Sequence, residues 1–161
     1  MPGVILTGGV VAPGPIDVIC EEVVFTETTG AGVYTGSVTV GAGAFIVDVI
    51  VHAEALWTAT TSATMKVGDV ADDDGIFTGI DLKATDLLAG ESICLAAAGG
   101  KQGADLDDFA APGSQMRRRY LSTARVISGI VTTVGAAGSA GRTRMLVCYS
   151  YPGGVTAATK V

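Results

Sequence analysis

Residues 33–54 read VYTGSVTVGAGAFIVDVIVHAE, and the fold turns on them. The first eight alternate: Tyr34, Val38 and Val40 fall on one parity, Thr35, Ser37 and Thr39 on the other. A period of two marks a half-buried strand. Gly41-Ala42-Gly43 then gives a turn. Residues 44–54 are apolar on both parities, with Phe45, Val47, Val49 and Val51 on one face. The other face mixes Ile46 and Ile50 with Asp48, His52 and Glu54. That pattern predicts a central strand, covered on one side and partly covered on the other.

Outward from this pair the same texture continues. Strands are predicted over 16–27, 64–67, 92–97, 120–134 and 142–151, where Val, Ile and Thr are dense. Residues 120–134 and 142–151 read as a long pair joined by GAAGSAG (135–141), a hairpin tip or a bent loop. Helical periodicity is weak throughout. The expected fold is all-β: a single antiparallel β-sandwich or jelly-roll-like barrel with an extended N-terminal arm. The pattern does not choose between a jelly roll, an immunoglobulin-like sandwich and an open barrel. The domain organisation expected is an arm over 1–15, a β-sandwich domain over 16–152 and a flexible tail over 153–161, with a long connection over 98–116. No fixed-period repeat is present, so a solenoid is not expected.

Composition narrows the function. The chain has 161 residues, 48% hydrophobic and 16% charged, against about 25% charged in an average domain. Glycine is frequent at 23 residues, without a collagen triplet period. Net charge is −6, which disfavours phosphate-directed binding of nucleic acid. Apolar runs are far shorter than the ~20 residues a membrane-spanning helix needs, and residues 1–6 lack a signal-peptide pattern. Folding in a cytoplasm is therefore expected. Cys20, Cys94 and Cys148 are widely spaced among apolar residues with no C-x-x-C pair. They read as three buried small hydrophobes, not a disulfide framework or a zinc site.

Chemistry-bearing residues are few. His52 is the single histidine, at an alternating strand position, and reads as a sheet-face or interface residue. Gly99-Gly100-Lys101 lacks the spacing and the Ser/Thr of a phosphate-binding loop. Asp69, Asp72, Asp73 and Asp74 precede Gly75, and three readings stay open: an acidic glycine-closed turn, a calcium site or a contact to a basic partner. Arg117-Arg118-Arg119, Arg142 and Arg144 could sit at solvated junctions or reach such an acidic turn in a neighbour. Trp57 reads as a core or interface anchor. No catalytic, cofactor-binding or metal residues are assigned, and no cofactor is expected.

Residues 33–91 resemble structural proteins from the heads of tailed bacteriophages. The pieces are YTGSVTVGAGAFIVDVIVHAEALW (34–57) and TSATMKVGDVADDDGIFTGIDLKATDLLAGE (61–91); RTRMLVCYSYP (142–152) is also similar. The resemblance implies a virion component without enzymatic activity. Within that family it points to capsid decoration or cement proteins, which are β-rich and often trimeric. The chain is too short for a shell protein with its long helix. The implied partners are the major capsid protein and further copies of the chain, a trimer being favoured, with neither nucleic acid nor membrane. The implied location is the capsid surface of the virion after synthesis in the host cytoplasm. The apolar arm over 1–15 is the first choice for the clamping contact. A tail, neck or head-completion protein is the nearest alternative. A carbohydrate or cell-surface binding module would need solvent-facing aromatics, and an enzyme would need a nucleophile that the motifs do not supply.

Overall fold

A computed structural model of the chain describes residues 17–106 and 119–151. Within them lie β1 (Val18–Thr26), β2 (Val33–Val40), β3 (Phe45–Ala55), β4 (Ser62–Gly68), β5 (Phe77–Asp81), β6 (Ser92–Ile93), β7 (Arg125–Val134) and β8 (Arg142–Ser150). The arm over 1–15 and the tail over 153–161 lie outside the described residues, as do residues 107–118.

The strands form two four-stranded sheets, ordered β1-β8-β3-β6 and β2-β7-β4-β5, and every pairing is antiparallel. The first and last strands pair, then the second and seventh, the third and sixth, and the fourth and fifth. A long ribbon folded on itself in that way and wrapped once also brings β3 beside β8 and β4 beside β7, as observed. This is the jelly-roll order. The all-β sandwich is as expected; the two sheets stay open rather than closing into a barrel.

Three readings need correction. β7 and β8 do not pair with each other: each belongs to a different sheet, and residues 135–141 cross between them as a bent loop. β5 was not anticipated, because Gly79 (φ +59°) interrupts a segment crowded with turn residues. The face assignment of β3 fails at its start. Ile46 pairs with Tyr149 and Asp48 with Cys148, so Val47 is an extra residue in a β-bulge. The bulge buries Ile46 completely and leaves Val47 37% exposed. The Asp48 carboxylate caps it, accepting from the amides of Val49 (2.8 Å) and Leu95 (3.1 Å).

The cysteine reading is also overturned. Cys20 and Cys148 are register partners in the β1–β8 ladder and form a disulfide across 128 residues of sequence. No local spacing could show this, since the ladder itself brings them together. Cys94 is a free, half-buried thiol.

The core fills the space between the sheets. Gly36 and Gly129 are opposed in the β2–β7 ladder and leave a slot in that sheet. Phe25 from β1 enters it: a Cβ on Gly129 would lie 2.8 Å from the Phe25 ring and 2.8 Å from Met65 Cε. Trp57 is core. Its indole donates to Thr143 Oγ1 at 2.8 Å, and its ring meets Tyr34 edge-on at 4.8 Å.

One buried charge holds the crossover. Glu27, 2% exposed, follows β1. One carboxylate oxygen accepts from Thr58 N (2.9 Å), Thr58 Oγ1 (2.9 Å) and Gly141 N (3.0 Å). The other accepts from Ala59 N (2.8 Å) and Gly138 N (3.2 Å). Burial alone would raise its pKa. The donors on Thr58, Gly141 and Gly138 outweigh burial and bring it from 4.5 to about 2.

Two outcomes follow for stability. A depressed carboxylate pKa stabilises the fold above the unfolded value and loses that contribution as pH falls toward the folded one. Glu27 should therefore contribute about 3 kcal/mol at neutral pH, fading between pH 4.5 and about 2. Denaturant titration of wild type and Glu27→Gln across that range should show the two curves converging at low pH. Removing the disulfide with Cys20→Ser and Cys148→Ser should cost roughly 2–4 kcal/mol in the same assay under oxidising conditions.

Candidate interaction surfaces

The two outer faces of the sandwich differ in charge. On the sheet containing β3 and β8, a cross-strand ion network runs over three strands. Glu22 on β1 pairs with Arg144 on β8, whose Nε and Nη2 reach Glu54 Oε1 at 2.8 and 2.5 Å. Glu54 also pairs with Arg142. A second bulge in β3, between Ala53 and Ala55, makes Glu54 the extra residue beside these two arginines. Their guanidinium groups lower the Glu54 pKa, and Glu22 and Glu54 raise that of Arg144. His52 is in register with Arg144 and meets Ser92 Oγ at 2.9 Å. Sequence placed Arg142 and Arg144 on one parity correctly. Their partners are in the same chain, at the end of the sandwich opposite the acidic turn.

The outer face of the other sheet is nearly free of charge. The outward parity of β2, β4 and β7 carries Thr, Ser, Val and Ile, with Lys66 as its one charged side chain among the described residues. Val33 and Val134 are more than half exposed on it. Desolvating such a face costs far less than desolvating the ion network opposite.

The acidic segment is a closed turn. Asp69 N donates to Asp72 O at 2.8 Å, and Asp69 Oδ1 accepts from the amides of Ala71 (2.8 Å) and Asp72 (3.2 Å). Lys66 pairs with Asp73 at 2.6 Å, and Thr78 Oγ1 donates to Asp74 at 3.0 Å. Arg125 approaches Asp69 at 3.7 Å beneath the turn. Asp72, Asp73 and Asp74 can each bring an oxygen within 4.8 Å of the others. Intrachain donors already hold two of these three. Beside the turn lies a groove of about 360 Å³, lined by Val70, Leu121, Thr123 and Arg125 among others. Val70 stands on its rim, 91% exposed.

The ends of the sandwich are also unequal. Val18 faces Ser150, Ser150 faces Phe45, and Phe45 bridges to Tyr120. Asp105 N donates to Gly75 O at 2.7 Å, which brings Leu106 to the same end. Residues 17, 106, 119 and 151 thus gather at one end, beside the acidic turn. Arg119 lies there with its guanidinium 5.8 Å from the Phe45 ring; Arg117 and Arg118 lie outside the described residues. At the opposite end are the turn after Glu27 and the loop that follows β5. Lys101, of the Gly-Gly-Lys segment, pairs with Asp86 at 2.9 Å.

Two solved structures resemble the chain. One is a chain of the cyanophage Pam1 capsid asymmetric unit, at TM-score 0.52 and 21% identity, covering 91% of this chain and 95% of that one. The other is a chain of the acidic stable capsid structure of Helicobacter pylori bacteriophage KHP30, at TM-score 0.51 and 18% identity, covering 84% and 88%. At these identities the likeness is one of fold. No protein-family model matches the sequence, and no curated protein does.

The ion network gives a checkable expectation. Arg144→Gln should lower the thermal midpoint at low ionic strength, and the difference from wild type should shrink in 1 M salt, as an exposed network is screened.

Proposed function

We propose that this chain is a non-enzymatic structural component of a tailed-bacteriophage head, a decoration or cement protein that sits on the capsid surface where capsomers meet. The observation that carries this reading is the fold likeness to chains of two phage capsid structures, which spans nearly the full length on both sides. The sequence resemblance over residues 33–91 points the same way.

The mechanism is physical. Packed DNA pushes a shell outward, and a subunit that buries apolar surface across a junction opposes separation of the capsomers. Each Å² of apolar surface buried contributes about 25 cal/mol before association costs. The nearly uncharged outer face built on β2, β4 and β7 suits this role, because its one charged side chain, Lys66, is already paired with Asp73. The ion network on the opposite face then stays in solvent. The arm over 1–15 reaches a neighbouring subunit, and the sandwich domain occupies 16–152, followed by the tail over 153–161. The major capsid protein is the partner, with a homotrimer as the working oligomer and no role for nucleic acid or membrane. Host cytoplasm is the place of synthesis, and the virion surface is the destination.

The carbohydrate-binding alternative loses its main feature here. Trp57 is buried against Thr143, and Tyr149 is buried with its hydroxyl on Glu21 at 2.5 Å. Among the described residues Tyr120 is the exposed aromatic.

Purified protein mixed with expanded, undecorated capsids and imaged by electron microscopy should give density at capsomer junctions. The decorated particles should burst at a higher temperature. Ile130→Glu together with Thr132→Glu should weaken binding by about tenfold or more, while the isolated domain stays folded. Density at the tail or neck, or no binding with a hit on a glycan array, would overturn the reading.

A further inference from the structure

Each sheet has two edges, and the flanks of this sandwich treat them differently. On one flank β6 is two residues long, and β5 is covered by the chain that follows it. Thr78 N donates to Lys101 O at 2.9 Å, Phe77 bridges to Gln102, and Gly103 N donates to Ile76 O at 3.0 Å. On the other flank β1 and β2 run for nine and eight residues. Among the described residues each is paired on one side, to β8 and to β7.

These two open edges are not equivalent. β1 carries Glu21 and Glu22 at its centre, and charged residues on an edge discourage further pairing. β2 carries no charge and no proline, and its register with β7 runs from Val33 to Val40 without a shift. A long, regular, neutral edge is a template for another strand.

From this edge we infer that β2 accepts the N-terminal segment, residues 1–16, of a second copy as an added strand. The segment leaves the domain at Asp17, at the head of β1 and so on the open flank. Sixteen residues can reach roughly 50 Å when extended. They contain no charged side chain and include the β-prone runs Val4-Ile5-Leu6-Thr7 and Val10-Val11. Charge neutrality matches donor to acceptor.

Direction favours a neighbour. Folding back onto the same molecule would make the segment run parallel to β2, since it must arrive at the end where β1 begins and β2 finishes. A segment from another copy can enter antiparallel, in the more stable ladder. The inference deepens the reading of the arm as a contact to a neighbour, and it does not depend on where the particle binds.

The test is cross-linking in the full chain. In a Cys94→Ser background, Ile5→Cys and Ser37→Cys are joined by a short bismaleimide. A ladder of cross-linked dimers and higher species on a denaturing gel is expected. A product confined to the monomer, or no cross-link, overturns the inference. Deleting residues 1–12 should also speed hydrogen exchange of alternate β2 amides by about tenfold or more while leaving β4 unchanged; unaltered β2 exchange overturns it. Capsid binding is read separately, so cross-linking failure with intact binding sinks this inference alone.

Discussion

Five donors converge on the carboxylate of Glu27, and the jelly roll depends on that convergence. A jelly roll must pass its chain from one sheet to the other several times, and such passages leave backbone amides turned away from any ladder. Here the passage from β3 to β4 and the passage from β7 to β8 lie side by side. A single ionised group satisfies amides from both, and Glu27 N donates to Gly141 O at 2.8 Å in return. Breaking such an arrangement from one side leaves buried donors without acceptors, which costs more than the bonds are worth when made. The same loop packs closely on Trp57, since a Cβ on Gly141 would lie 2.5 Å from the indole. Charge, loop and core aromatic therefore stand or fall together.

With the crossovers fixed, the sandwich can present two unlike faces. The alternation of each strand sends every second residue inward, so each outer face is free to differ in composition without disturbing the core. One face spends its positions on a salt-bridged network spread over β1, β8 and β3. The other holds hydroxyls and branched aliphatics. Such one-sidedness lets one face leave water at little cost while the other keeps its ion pairs solvated.

Much of this was legible in the sequence and some was not, for reasons that are themselves physical. The period of two in β2 correctly put Val38 and Val40 in the core. Parity failed in β3 because a bulge adds one residue with no compositional mark. Sequence proximity suggested that β7 and β8 pair, but the ribbon had already committed β8 to β1 and β3. The cysteine pair was invisible for the same cause: its partners are adjacent through ladder register alone. Glu27 gave no signal, since its donors come from loops 31 to 114 positions away. The acidic turn was read correctly as one option, because its closure relies on neighbours within a few residues. Local chemistry was readable, then, and long-range register was not.

The gathering of residues 17, 106, 119 and 151 at one end makes the two poles of the sandwich unlike. Strands of about eight residues separate the two by roughly 26 Å. A foreign peptide spliced near Gly30, in the turn after Glu27, would therefore project from the pole opposite those four residues.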